Sequence, residues 1–256
     1  MIDTHSHLDG EEFEEDLEET IQRAKETGVE KILVPAINLQ GLPHLLEVCD
    51  MHPGYLYPMI GLHPEEVKAN YQEELNEMYK ILSSSPKGRF VGIGEIGLDF
   101  YWDETYRKEQ LDALDQQIKW AIEFDLPLMF HVRKAYNEMI NIMENHRKDH
   151  LKGVFHCFTA SKEIAEKLLS FEGFMLGIGG VLTFKNSNLP EVIRESVPLE
   201  RIVLETDSPY MAPVPHRGKR NESAYILEVA RRLSEIFECK IEEIANKTNK
   251  NCNIFR

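Results

Sequence analysis

The chain has 256 residues, 42% hydrophobic and 29% charged, enough to bury one large core and within the single-domain range of α/β barrels, so residues 1–256 are expected to form one domain. Lys and Arg total 29 against 44 Asp and Glu, a formal charge of -15, which argues against a protein that coats or bends duplex nucleic acid by counterion release. The four cysteines, Cys49, Cys157, Cys239 and Cys252, form no C-x-x-C pair, and the opening MIDTHSHLD has no secretory pattern. Uncharged stretches such as Gly173 to Phe184 fall short of the roughly 18 apolar residues a membrane span requires. Free thiols, a cytoplasmic location and no membrane segment are expected.

Short runs of Val, Ile, Leu and Phe alternate with longer amphipathic stretches, the pattern of β-strand and α-helix units on a parallel sheet. In chain order the strand candidates are Met1 to Thr4, Lys31 to Pro35, Tyr55 to Gly61, Phe90 to Ile93, Leu126 to Phe130, Gly153 to Phe155, Phe174 to Gly177 and Arg201 to Leu204. Between them the apolar spacing predicts helices such as Asp16 to Thr27, Glu65 to Leu82, Glu104 to Phe124 and Ser161 to Phe171, with Gly28, Gly153 and Gly173 as stop signals. Two further helices, about Glu222 to Cys239 and Ile241 to Asn251, end the chain. Eight such units close into a TIM (β/α)8 barrel with C-terminal helices, although an open doubly wound sheet would give a similar string. The acid-rich stretch Asp9 to Glu19, which contains no cation, is expected on the N-terminal half of the first helix, where the helix dipole favours negative charge.

The chemistry lies at the strand ends. His5 and His7 are two apart, a spacing that puts both imidazoles on one face of an extended segment. Glu95 follows the fourth strand in VGIGEIGLD, His131 the fifth in PLMFHVRKA, His156 the sixth in GVFHCF and Asp207 the eighth in IVLETDSP. In a barrel every strand's C-terminal end opens onto one face, so His5, His7, Glu95, His131, His156 and Asp207 are expected to converge. Four imidazoles and two carboxylates form a mixed nitrogen and oxygen set suited to Zn²⁺ or Mn²⁺ and poorly suited to Ca²⁺. Any one of these histidines alone would read as a satisfied polar residue; six such residues just past strand ends read together as a metal site.

The run DTHSHLD, GLHP, GEIGLDFY, HVRKA, HCFTA and ETDSPYMAPVPHRGKRN, in that order over residues 1 to about 223, resembles the TatD family of metal-dependent deoxyribonucleases within the amidohydrolase-like barrel superfamily. The resemblance implies a TIM barrel, two divalent metal ions (Zn, Mg or Mn) and hydrolysis of phosphodiester bonds in DNA, often as a 3′ to 5′ exonuclease on short single-stranded ends. Carried over, His5, His7, Glu95 and Asp207 match one metal site, and Glu95 as a bridge with His131 and His156 matches the other. Ser6 stands where the family often has Cys, Lys134 where Asp commonly follows the H-x-R pair, and Thr159-Ala160 where Ser-Gly is usual. None of these departures removes a ligand.

Asp207 is placed to take a proton from the attacking water. Its competing reading is a helix N-cap ahead of Ser208-Pro209. His63, in IGLHPEE, is expected to orient the scissile phosphate or assist the leaving group, against a plain turn residue before Pro64. Arg133 is the expected phosphate clamp, helped by Arg217, Lys219 and Arg220 in the densest basic run of the chain. Phe100, Tyr101 and Trp102 either stack on an exposed base or pack on the barrel rim. Gly92-Ile-Gly94-Glu-Ile-Gly97 is a literal G-x-G-x-x-G, but no helix follows it directly and a carboxylate sits inside it, against a dinucleotide cradle. The nearer rival is an amidohydrolase or deacylase using the same metal site. Many such barrels are expected to bridge their metals with a carboxylated lysine, and VGIGEIGLD offers no Lys there.

Overall fold

A computed structural model describes residues 1–255. Eight parallel strands appear in chain order, β1 (Ile2–Asp3), β2 (Lys31–Pro35), β3 (Leu56–Met59), β4 (Ile93–Asp99), β5 (Leu128–Arg133), β6 (Gly153–Phe155), β7 (Phe174–Ile178) and β8 (Ile202–Leu204). The helices are α1 (Leu17–Glu26), α2 (Leu42–Met51), α3 (Tyr71–Ser84), α4 (Arg107–Phe124), α5 (Tyr136–Asn145), α6 (Lys162–Leu169), α7 (Leu189–Ser196), α8 (Ile226–Ile236) and α9 (Ile241–Asn251).

Regular pairing runs β1-β2-β3 and β4-β5-β6-β7-β8. Backbone hydrogen bonds span both seams between these two sheets. Ile60 N–H donates to Gly92 O and Gly94 N–H to Ile60 O between β3 and β4. Thr4 N–H donates to Leu204 O, Asp207 N–H to His5 O and His7 N–H to Ser208 O between β8 and β1. Ser6, one of the departures noted above, bonds Ser208 through the two hydroxyls at 2.6 Å and reinforces the second seam. The architecture is therefore the (β/α)8 barrel, in which every second residue along a strand faces inward.

That alternation separates two cores. Residues such as Ile32, Val34, Phe130, Phe155 and Leu204 pack outward with the helices. Leu33, Met59, Met129, Val154 and Val203 fill the barrel interior, with Cys252 and Phe255 packed against them. Continuing the inward parity toward the strands' C-terminal ends leads from Met59 to His63, from Met129 to His131, from Val154 to His156 and from Val203 to Glu205 and Asp207.

The fourth strand departs from the sequence-based expectation. It begins at Ile93, runs to Asp99 and contains Glu95, which was expected past the strand's end. Pairing with β5 shifts from Ile93↔Leu128 to Ile96↔Phe130, so one extra residue is accommodated near Gly94 and Glu95. Such a bulge re-aims a side chain, and here the backbone N–H of Glu95 is held by Ala36 O at 3.0 Å. The glycines of the G-x-G-x-x-G run serve this packing. A Cβ on Gly94 would lie 2.5 Å from that of Met129, and one on Gly97, at φ +149, would run into the carbonyl oxygen of His131. Gly97→Ala is expected to destabilise by about 3 kcal/mol or more and to lower the thermal midpoint by about 6 to 12 °C in a domain of this size. A calorimetric scan showing an unchanged midpoint would contradict this close approach.

Other boundaries differ as well. β5 runs on to Arg133 and so contains His131, which was expected past its end. The stretch after His63 is a 3-10 turn over Pro64–Glu66 and a loop before α3, because the His63 ring accepts from Glu65 N–H and Val67 is extended. Most of the Asp9 to Glu19 carboxylates precede α1, which starts at Leu17. Asp16 does not cap that helix through its side chain; it bonds Arg23 and Arg220. Glu222 likewise precedes α8 and pairs with Arg23 at 2.7 Å, tying the two segments together. Among the described residues no helix is long and apolar enough to cross a membrane, and all four cysteines are free thiols.

Candidate metal centre

Seven of the side chains singled out in the sequence meet at the barrel mouth around Glu95, which is 2% exposed. Its two oxygens face different partners. Oε2 lies 3.1 Å from His5 Nε2 and 3.5 Å from His7 Nε2. Oε1 lies 2.8 Å from His156 Nε2, 2.9 Å from His131 Nδ1 and 3.2 Å from His63 Nε2. Asp207 Oδ1 stands 3.8 Å from His5 Nε2 and 3.7 Å from His7 Nε2. Donor atoms of His5, His7 and Glu95, of His63, Glu95 and His131, and of His5, His156 and Asp207 each fall within the span one ion could share.

His63 was expected beside the metals as a phosphate-orienting group; its Nε2 in fact stands at ligand distance, while its Nδ1 accepts from Glu65 N–H at 3.1 Å. It is thus a turn residue and a cluster member at once. Asp207 begins no helix; it has φ +55 and holds its loop through its backbone, Asp207 N–H to His5 O and Tyr210 N–H to Asp207 O.

Electrostatics sort the cluster into charged and neutral members. Burial lowers His5 well below the usual imidazole value, helped by the charge of His156, and lowers His7 to about 4. Burial alone would also lower His156 and raise Glu95, but their mutual attraction outweighs it. His156 ends well above its ordinary value and Glu95 well below. His131 is raised despite burial, through its bonds to Asp99 and Glu95. Burial pushes the Asp207 carboxyl up to about 7. The stacked rings of His5 and His156 are 3.9 Å apart, too close for both to carry charge.

The donors fit divalent ions. The Nε2 atoms of His5 and His7 approach to 3.1 Å beside the same carboxylate oxygen, and the buried Nδ1 atoms of His5 and His156 have no hydrogen-bond partner. Converging imidazole nitrogens and carboxylate oxygens in a buried site are what Zn²⁺ or Mn²⁺ recruits. Ligation requires these imidazoles to be neutral. Because His156 and His131 are raised and Asp207 sits at about 7, metal uptake at pH 7 is expected to release protons. Affinity should weaken as pH falls through neutrality. Calorimetric titration in buffers of different ionisation enthalpy reads the release directly, and a buffer-independent heat would contradict it.

Several supporting residues escaped sequence reasoning. Asp99 accepts from His131 Nε2 at 2.8 Å through one oxygen and from Tyr101 N–H at 2.8 Å through the other, the carboxylate-histidine support common at metal sites. Glu205 is fully buried below His156, with Oε1 at 3.8 Å from its Nδ1. A Cβ on Gly177 would collide with Glu205 Oε2, so a glycine there makes room for the carboxylate. On α4, Gln117 accepts from Leu62 N–H at 2.7 Å next to His63, and Gln110 bonds both backbone groups of Asp99. Gln110 and Gln117 are seven residues, two helical turns, apart, and that spacing was the available signal.

The expected phosphate cations disperse. Arg133 is exposed at the rim, its guanidinium carbon 3.8 Å over the Tyr101 ring. Arg217 lies 3.8 Å over Phe184, and Lys219 is exposed. Arg220 corrects the sequence expectation. It pairs with Asp16 at 2.7 Å and lies over Phe13, and it holds the Asp16 carboxyl down to about 2. Its charge is neutralised within the fold.

The family profile described as TatD related DNase matches residues 2–255. This chain belongs to the TatD family of metal-dependent hydrolases. It is 37% identical over 257 residues to the uncharacterized metal-dependent hydrolase YabD of Bacillus subtilis, covering 100% of this chain and 99% of that one. It is 29% identical over 241 residues to a protein of Pantoea named 3′-5′ ssDNA/RNA exonuclease TatD, covering 91% and 90%. The crystal structure of YjjV, the TatD homologue of Escherichia coli K12, superposes with a TM-score of 0.92 at 32% identity, covering 100% of this chain and 97% of that one. Within the TatD fold, a cluster of His, Glu and Asp able to bind metal occupies the barrel mouth.

Proposed function

We propose that this TatD-family hydrolase cleaves phosphodiester bonds of DNA as a 3′ to 5′ exonuclease on short single-stranded ends, with Glu95 placed to contribute to both of two divalent-ion sites. The observation that carries this reading is the division of Glu95, one oxygen toward His5 and His7 and the other toward His63, His131 and His156. The name of the Pantoea relative supports nucleic acid as the substrate class. His5, His7, Glu95 and Asp207 would hold one ion, and Glu95, His131 and His156, joined by His63, the other.

Bound there, such ions supply Lewis acidity toward a phosphoryl oxygen and make water a nucleophile near neutral pH. Asp207, at the barrel mouth facing His5 and His7, accepts the proton from the attacking water. Glu95 holds the two halves of the centre in register. His63, besides its place in the cluster, orients the scissile phosphate or assists the leaving group. Arg133, with Arg217 and Lys219 farther out, neutralises substrate phosphates. The four free thiols fit a reducing cytoplasm, and residues 1–256 act as one hydrolase unit.

The test is turnover of 5′-labelled single-stranded DNA and RNA by metal-stripped protein, repeated with Mg²⁺, Mn²⁺ or Zn²⁺. Laddering from the 3′ end that depends on added metal is expected. No cleavage under any metal despite stoichiometric binding would overturn the phosphodiesterase reading and favour a C–N or ester bond.

A further inference from the structure

We propose that Tyr101, Trp102 and Arg133 form a stacking platform for a nucleobase of the substrate strand beside the metal centre; the inference rests on the phosphodiesterase reading above and extends it to a subsite. Among the described residues, seven large apolar side chains are exposed, and Tyr101, Trp102, Tyr210, Met211 and Val214 of these lie in the two loops that follow β4 and β8. Concentration of such groups at one opening of a strongly charged surface marks a binding site.

The run Phe100-Tyr101-Trp102 splits in two. Phe100 packs into the rim at 6% exposure, under Arg107. Tyr101 and Trp102 stay 44% and 67% exposed. Their rings meet edge to face with centroids 4.7 Å apart. The Arg133 guanidinium lies over both rings, 3.8 Å from Tyr101 and 5.1 Å from Trp102, and Lys134 Nζ is 4.8 Å from Tyr101. Among the described residues neither Arg133 nor Lys134 forms an ion pair, although Arg107, which lies over Phe100, pairs with Glu104 and Glu138. Aromatic faces next to unpaired cations match a ligand that offers an aromatic plane and a phosphate together. Single-stranded nucleic acid does so, and in a duplex the planes are already stacked on each other.

The platform is fixed relative to the chemistry. Asp99 accepts from Tyr101 N–H through one oxygen and from His131 Nε2 through the other, each at 2.8 Å. Phe100 N–H donates to Arg133 O at 3.0 Å. A base held on Tyr101 and Trp102 is thereby positioned against His131 and Glu95.

The chain has two tryptophans, and Trp120 is buried in α4, so in a Trp120→Phe variant the fluorescence reports on Trp102. Titration with a cleavage-resistant phosphorothioate hexathymidylate is expected to quench it, and an abasic strand of equal length to do so at least several-fold more weakly. In kinetics, Trp102→Ala should raise KM for base-bearing DNA about 5- to 100-fold, the equivalent of one base stack, and leave turnover of the abasic strand unchanged. Equal quenching by both strands, or a variant that keeps the wild-type preference for bases, would overturn the platform. If the wild type cleaves neither strand with any metal, the phosphodiesterase reading fails, while the fluorescence titration still decides the platform.

Discussion

Asp207→Asn is expected to lower kcat by about 10²- to 10⁴-fold, the usual contribution of a positioned general base, with the fold intact. The substitution keeps shape and removes only the titrating oxygen. It also respects the backbone, since Asp207 has φ +55 and Asn is among the side chains that tolerate that region. The loop is held by backbone bonds from Asp207 N–H to His5 O and from Tyr210 N–H to Asp207 O, which the change leaves untouched. Burial, first among the causes that raise the Asp207 carboxyl to about 7, also means that the neutral amide costs little to keep inside the protein. Because Asp207 also faces His5 and His7, metal content is measured alongside rate. Unchanged kcat with full metal content would remove Asp207 from the proton transfer.

Glu95→Gln is expected to weaken metal binding by more than the roughly 10- to 100-fold typical of residues that only support a ligand, and to reduce the number of bound ions. The reason is geometric. Glu95 alone comes within 3.5 Å of imidazoles in both halves; Asp207 groups with His156 as well as His5 but stands 3.8 and 3.7 Å from His5 and His7, and Asp99 is behind His131. The amide offers one oxygen where two are needed, and its NH₂ group faces an imidazole nitrogen. The same substitution removes the anion that raises His156 and His131. Both should then titrate lower, and the protons released on metal uptake should fall in step. Equilibrium dialysis that finds wild-type stoichiometry and affinity in Glu95→Gln would contradict a bridging role.

The convergence of these side chains was legible in the sequence because strand parity is a local property. His131 and His156 lie two residues beyond Met129 and Val154, which fill the barrel interior, so an inward apolar residue followed two positions later by a histidine at the strand end already points to the mouth. Glu95 was legible as a member of the cluster but was expected past the strand's end, since the extra residue near Gly94 depends on how closely β4 approaches Met129 and His131 of β5. Residues whose role rests on a distant partner stayed hidden. Asp99 looks like any strand-end acid until His131 is beside it, and Glu205 until Gly177 makes room for it. Arg220 failed in the opposite direction. Its place in a basic loop suggested phosphate, but Asp16, 204 residues earlier, neutralises it.

The most direct measurement is anomalous diffraction from crystals grown with Mn²⁺ or Zn²⁺. Two peaks flanking Glu95 are expected, one against His5, His7 and Asp207 and the other against His63, His131 and His156. A single peak at full occupancy, or two peaks that leave Glu95 outside both coordination spheres, would contradict a Glu95-bridged pair.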